Sequence, residues 1–137
     1  MAVLLDSGIL YACYDRGDTW HDRAASIVKR ENRGLIVPAP VIPEVDHLLG
    51  YRLGDRARLS FYQALAEGDY FVADLARERY TRVLDLNRRF ASLSLGFVDA
   101  AVAAIAEQLG VLRIATTDHR DFEPLATALS LVLIPEA

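Results

Sequence analysis

One stretch constrains this chain more than any other: Leu93-Ser94-Leu95-Gly96-Phe97-Val98-Asp99-Ala100-Ala101-Val102-Ala103-Ala104-Ile105-Ala106-Glu107-Gln108-Leu109-Gly110, then Val111-Leu112-Arg113-Ile114-Ala115-Thr116-Thr117-Asp118. Val98, Val102, Ile105 and Leu109 recur at three- and four-residue steps, the spacing of one helical face. Gly110 suits the position after a helix, where a left-handed backbone carries no Cβ penalty. The short apolar run that follows reads as a buried strand ending in an acid. Asp99 is the misfit, set in the first turn of a helix that is almost entirely Ala, Val and Ile until Glu107. A carboxylate in such a surface needs a partner, because burying an unpaired charge is expensive. The simplest alternative is a favourable interaction with the positive end of the helix dipole, worth about 0.3–1 kcal/mol.

The rest of the chain repeats the alternation. Strands are expected over 3–5, 35–37, 70–73, 112–116 and 130–134. Between them, Ser7-Gly8 reads as a turn into a helix carrying Ile9, Leu10, Cys13 and Tyr14. Further helices are expected over 20–32, from Pro43-Glu44 to Gly50, over 55–66 and over 75–90, with a short helical turn starting at Asp121-Phe122. Pro38 and Pro40 close the second strand, since proline cannot donate to a central ladder. Strands alternating with helices imply a parallel sheet covered on both faces. The expected architecture is therefore α/β: three α/β/α layers around a mainly parallel sheet of four to five strands, in one domain over 1–137, with no repeat or linker.

Composition narrows the function. With 137 residues and 53% apolar content, the chain can build a core without disulfides or structural metal. Its single cysteine, Cys13, sits in an apolar helical stretch, as a buried small hydrophobe would, and is compatible with a reducing compartment. The start, Met1-Ala2-Val3-Leu4-Leu5-Asp6, lacks a basic segment and meets an acid too early for a secretory signal. The apolar run over 125–135 is too short to span a bilayer, so a cytoplasmic protein without a membrane partner is expected. The net charge of −4, with Lys29 the lone lysine, argues against strong non-specific nucleic-acid binding. It leaves room for an enzyme that meets RNA through a local basic rim.

Four acids fall at element ends. Asp6 closes the first strand and Asp118 follows the fourth; Asp99 and Glu44 open helices. In an open parallel sheet, ligands bind beyond the carboxyl ends of the strands, near the point where strand order reverses. Each acid also has a local role open to it: Asp6 as a helix cap, Glu44 and Asp99 on helix dipoles, Asp118 in an Asx turn, Asp121 as the cap of the last helix. Carboxylates that converge repel one another and must protonate or hold a cation. An all-oxygen donor set without His or Cys suits Mg²⁺, with Mn²⁺ as a second choice. Such ions activate water and stabilise leaving oxygens in phosphodiester hydrolysis.

These motifs, namely Leu4-Leu5-Asp6-Ser7, Pro43-Glu44-Val45, Gly96-Phe97-Val98-Asp99-Ala100-Ala101 and Thr116-Thr117-Asp118-His119-Arg120-Asp121-Phe122, resemble in order and spacing those of the PIN domain. Within it they are similar to the VapC-type ribonuclease toxins of prokaryotic toxin–antitoxin pairs, along essentially the whole chain. The resemblance implies a Mg²⁺-dependent endoribonuclease with metal ligands Asp6, Glu44, Asp99 and Asp118. It also implies a homodimer and inhibition by a small antitoxin whose basic tail covers the acidic cleft. Ser7 stands where relatives often carry Thr and is expected, with Thr116 and Asp121, to surround the ligands and to support Asp6 or a metal-bound water. Asn87-Arg88-Arg89 and Tyr51-Arg52 are candidate RNA contacts, with a solvated helix face as the default reading. His119 is expected as a solvated loop residue, His21 and His47 as helix-surface groups, and Trp20 as half covered near a partner.

Three other functions are open. A phosphoacceptor receiver needs a lysine after a late strand, and a haloacid-type phosphatase needs an Asp where Gly8 stands. The third, a non-catalytic PIN-like module that binds RNA or protein, is disfavoured by the complete acidic set.

Overall fold

The structure is a computed structural model that describes residues 2–135. β1 (Val3–Leu5) lies at the middle of a five-stranded sheet because all its side chains are apolar and buried, as a strand covered on both faces requires. Ser7–Tyr14 forms α1 and His21–Arg30 forms α2, leading into β2 (Leu35–Pro38). A 3-10 turn at Ala39–Val41 then opens α3 (Ile42–Arg52), followed by α4 (Asp55–Glu67) and β3 (Phe71–Ala73). After a second 3-10 turn come α5 (Tyr80–Arg89), α6 (Gly96–Leu109), β4 (Arg113–Ala115), α7 (His119–Leu129) and β5 (Val132–Ile134).

All five strands run parallel in the order β3-β2-β1-β4-β5. The register pairs Val3 with Leu35 and Leu4 with Ile36 on one side, and Leu4 with Ile114 and Leu5 with Ala115 on the other. The chain therefore builds outward from β1 in one direction, returns, and builds out the other way through β4. That reversal leaves a crevice at the carboxyl ends of β1 and β4, where parallel sheets place their ligands.

α6 is the central helix. Its residues from Ala100 to Ala106 are all buried, and alanine at five of those seven positions lets the helix lie close against its neighbours. Gly110 ends it in the left-handed conformation (φ 66°) that the sequence suggested. On its outer side Glu107 accepts from Arg79 and Arg82, both at 2.8 Å, tying α5 to α6. Arg113 donates both terminal nitrogens to Glu31 at 3.1 Å, fastening β4 to the end of α2. Among the described residues no helix is long and apolar enough to cross a membrane.

Several boundaries differ from expectation for visible reasons. Ser7 and Gly8 are the first residues of α1 rather than a turn before it. Gly50 lies inside α3, where an added Cβ would come within 2.8 Å of the Arg58 side chain. The expected helix over 75–90 begins only at Tyr80, because Gln108 holds the preceding segment extended. Its amide accepts from the Ala76 N–H at 3.1 Å and donates to the Asp74 carbonyl at 3.2 Å. The short helical turn expected at Asp121-Phe122 is a full 11-residue helix, α7, which accommodates Pro124 within it. Phe122 and Leu125, both buried, anchor it in the core.

Candidate active site

Asp6 follows β1 directly, and its backbone N–H bonds the Ala115 carbonyl of β4 at 2.9 Å. The side chain is only 6% exposed and makes no capping bond to α1, which removes the helix-cap reading. Instead Oδ2 accepts a hydrogen bond from the fully buried Thr116 hydroxyl at 3.0 Å. That same hydroxyl oxygen accepts from the Asp118 N–H at 3.0 Å, so one threonine fixes both the Asp6 carboxylate and the backbone that carries Asp118. Gly8 lets this loop approach: a Cβ there would lie 2.1 Å from Thr117 Oγ1.

Glu44 arrives from α3, with its carboxylate accepting from the Ser7 hydroxyl. Ser7 thus holds Glu44 rather than Asp6, and the support expected of it for Asp6 comes from Thr116. The Asp99 side chain is half-buried in the first turn of α6. That turn is pinned by Asn87 of α5. The Asn87 amide accepts from the Gly96 N–H at 2.9 Å and donates to the carbonyls of Gly96 at 3.1 Å and Val83 at 2.9 Å. Gly96 has φ +82°, a backbone that side chains other than hydrogen rarely adopt, so residue and clamp belong together. Asn87 is therefore a structural clamp and not a free RNA contact. Its only signal in the sequence is weak, an Asn near the end of a helix a few residues before a glycine.

Electrostatics shows how near the acids are. Burial is the main force pushing Asp6 up to about 6, and the charges of Glu44 and Asp118 push the same way, against the Ser7 amide and the Thr116 hydroxyl. Asp99 is pushed up to about 7, again first by burial and then by Asp6, Asp118, Glu44 and Asp121. Asp118, exposed at the start of α7, is raised by burial of its carboxyl and then by Asp121 beside it. The structure thus brings Asp6, Glu44, Asp99, Asp118 and Asp121 within electrostatic reach of one another at one edge of the sheet.

The donor set tests well against a hard cation. The carboxylates converging here offer oxygen alone, and burial followed by mutual repulsion raises Asp6 and Asp99 above the usual carboxylate range. Among the described residues no three His, Cys, Asp or Glu side chains are spaced as ligands of one ion. Mg²⁺ does not require that closure, since it is commonly held by one or two carboxylates and keeps several waters. Asp6 and Asp99 would hold it, helped by Glu44 and Asp118. A cleft of about 210 Å³ opens on Asp99, walled by Leu93, Ser94 and Leu95 on one side and by Arg120, Asp121 and Pro124 on the other.

The remaining candidates find other surroundings. His119 is not a solvated loop residue: it opens α7 and stacks on Trp20 with ring centres 6.0 Å apart, while Arg23 lies 3.8 Å from the Trp20 ring. His21 ties α2 to α1 through Nδ1 and the Ala12 carbonyl at 2.7 Å. Tyr51 is 82% exposed and stacks on His47, and the Arg52 guanidinium lies over Tyr11. Burial pushes the Cys13 thiol up to about 12, leaving it an inert packing group.

Comparison with known proteins places this geometry. Residues 3–127 match the family model of the PIN domain. Ribonuclease VapC26 of Mycobacterium tuberculosis is 24% identical over 123 residues, covering 90% of this chain and 91% of that protein. The crystal structure of Mycobacterium tuberculosis VapC20, a sarcin–ricin loop cleaving toxin, superposes with a TM-score of 0.81 at 19% identity, over 90% of this chain and 95% of that one. FitAcB from Neisseria gonorrhoeae matches with a TM-score of 0.64 at 14% identity, over 97% of this chain and 96% of that one. The likeness of these structures lies in the fold, and the family model extends over most of the sequence, from the first strand to the last helix: the chain belongs to the PIN domain family.

Proposed function

We propose that this chain is a Mg²⁺-dependent endoribonuclease that acts as the toxin of a toxin–antitoxin pair. The observation that carries the reading is the gathering of Asp6, Glu44, Asp99 and Asp118 at the sheet edge, with Asp6 and Asp99 both raised towards neutrality. Carboxylates in that state are poised for a divalent cation, and Mn²⁺ would substitute for Mg²⁺. When bound, the ion would lower the pKa of its water and neutralise a phosphate. The side chains contribute the rest. Asp6, anchored by Thr116, and Asp99, anchored through the Asn87 clamp, fix two oxygens on either side of the crevice. Glu44, turned in by Ser7, and Asp118 add negative potential that draws in the cation. Asp121 beside Asp118 raises its carboxyl and adds to the negative potential at the mouth of the cleft.

RNA is the expected substrate and the cytoplasm the expected site of action. VapC26 is named a ribonuclease, and VapC20 a sarcin–ricin loop cleaving toxin. The partner we expect is a small antitoxin with a basic tail, because uncompensated carboxylates favour an arginine in the absence of metal. We expect a homodimer as well, measurable by light scattering.

Asp6→Asn tests the reading. It keeps the shape of the side chain and removes its charge, so cleavage of total cellular RNA should fall on the order of 100-fold or more while far-UV circular dichroism is unchanged. EDTA should silence the parent protein, and added Mg²⁺ should restore it. Full activity of the variant, or of the parent in EDTA, would overturn the proposal in favour of a non-catalytic binding module.

A further inference from the structure

The cleft beside Asp99 carries more than acidity. Besides the acids Asp99 and Asp121 its lining offers other chemistry: Leu93, Leu95 and Pro124 are apolar, and Arg120 supplies a cation. Leu93 is 46% exposed, although a leucine of that size gains by burial. Arg120 is exposed and forms no salt bridge or side-chain hydrogen bond among the described residues. The wall is preformed. Leu93 N–H bonds the Phe90 carbonyl at 2.9 Å, Ser94 is held at φ +48°, and Asn87 grips Gly96 at the other end. A non-glycine residue in the left-handed region costs on the order of 1–3 kcal/mol and persists where its surroundings dictate it, commonly at binding sites.

We infer that this cleft is a nucleotide subsite for single-stranded RNA, in which Arg120 takes the phosphate next to the one cut and Leu93, Leu95 and Pro124 receive the adjoining base. The inference rests on the nuclease reading for its substrate but not for its geometry. An unpaired guanidinium suits phosphate, to which it donates in a fork. The exposed Leu93, backed by the half-buried Leu95 and Pro124, suits the face of an unstacked base, which a duplex does not offer. A basic antitoxin tail is the competing occupant, and Arg120 would repel it.

The test uses the full chain carrying Asp6→Asn in Mg²⁺. It is titrated with fluorescein-labelled single-stranded RNAs of randomised sequence, about 12 nucleotides long, and followed by anisotropy. Potassium chloride is varied from about 50 to 200 mM. Adding Arg120→Ala should weaken binding roughly three- to tenfold and reduce the slope of log K against log salt by about 0.7, the loss of one phosphate contact on a single strand. Arg120→Lys should retain the slope. Leu93→Ala should weaken binding roughly two- to fivefold with the slope unchanged, because apolar contact releases no counterions. Arg56→Ala, on α4, serves as the distant control and should match the parent.

An Arg120→Ala protein with the parental affinity and slope overturns the subsite, as does a parent that binds none of the RNA pool. Undiminished RNA binding combined with altered affinity for a basic-tailed antitoxin peptide assigns the cleft to that partner and overturns the subsite too. A wild-type protein that binds RNA through Arg120 yet cuts none leaves the subsite standing and overturns only the nuclease reading.

Discussion

The Thr116 hydroxyl donates to Asp6 Oδ2 at 3.0 Å across a sequence separation of 110 residues, and both side chains are buried. A hydrogen bond to a buried carboxylate contributes about 1.5–3 kcal/mol, and leaving the partner unsatisfied costs more than replacing both. Thr116→Val keeps the shape of the side chain and removes the donor. It should lower RNA cleavage roughly 10- to 100-fold, as loss of a group that orients a ligand does, whereas Thr116→Ser should retain most activity. Cleavage rates of the two variants at saturating Mg²⁺ check this; equal losses would deny the hydroxyl its role.

The acidic cluster should set how stability depends on pH. Asp6 near 6 and Asp99 near 7 both lie above their unfolded value of 3.8, so the folded protein holds protons more tightly than the unfolded chain. The stability tied to these protons is complete below about pH 4 and is lost as pH rises through 6 and 7. The ion-paired carboxylates Asp46 and Glu107 are shifted down and act in the opposite sense, losing their contribution in stronger acid. Melting temperature of the metal-free protein should therefore fall between about pH 5 and 7.5. Mg²⁺ should raise it more at pH 7.5 than at pH 5, since only the ionised cluster binds the ion well. Differential scanning calorimetry with and without EDTA measures both trends, and an equal Mg²⁺ effect at the two values would contradict them.

Asp99→Asn should separate stability from activity. Removing a charge from among like charges should raise the melting temperature of the metal-free protein at pH 7.5 by roughly 5 °C. The same change should cost on the order of 100-fold in cleavage. A variant both less stable and inactive would show that the carboxylate is needed for folding instead.

Gly8→Ala offers a contrast of signs. In a helix interior the change ordinarily stabilises by about 0.5–1 kcal/mol. Here the new Cβ would meet Thr117 Oγ1 at 2.1 Å and its Cβ at 3.2 Å, so the loop carrying Asp118 must move. The single variant should melt lower and cut more slowly, and adding Thr117→Ala should restore much of both. Thermal denaturation and activity of the single and double variants form the test.

Asn87 acts through Asp99. Asn87→Asp removes the donors to Val83 and Gly96 while keeping an acceptor for the Gly96 N–H. It should reduce Mn²⁺ affinity, followed by electron paramagnetic resonance, by about 10-fold without loss of helical signal. Unchanged Mn²⁺ affinity would reduce the clamp to a packing role.

Much of this was legible in the order of residues. The alternation of strands and helices, the glycine closing α6 and the acids at element ends are local patterns, and a parallel sheet carries its binding site at strand ends as a matter of topology. What stayed hidden depends on contacts between distant segments. Ser7 faces Glu44 rather than Asp6 because α3 passes the start of α1. Gln108 delays α5 from a helix away. Asn87 reads as one more polar residue beside Arg88 and Arg89 until the left-handed backbone at Gly96 gives it something to hold. His119 leaves the solvent because Trp20 sits beneath it.

The central position of β1, between β2 and β4, has a consequence for synthesis. Asp6 is made 112 residues before its neighbour Asp118, which follows β4, and the hydroxyl that steadies both belongs to Thr116. Until translation has passed that point the cell holds only scattered acids on an unfinished sheet. An acidic cluster assembled in this order takes shape only after β4 has been made and has paired with β1.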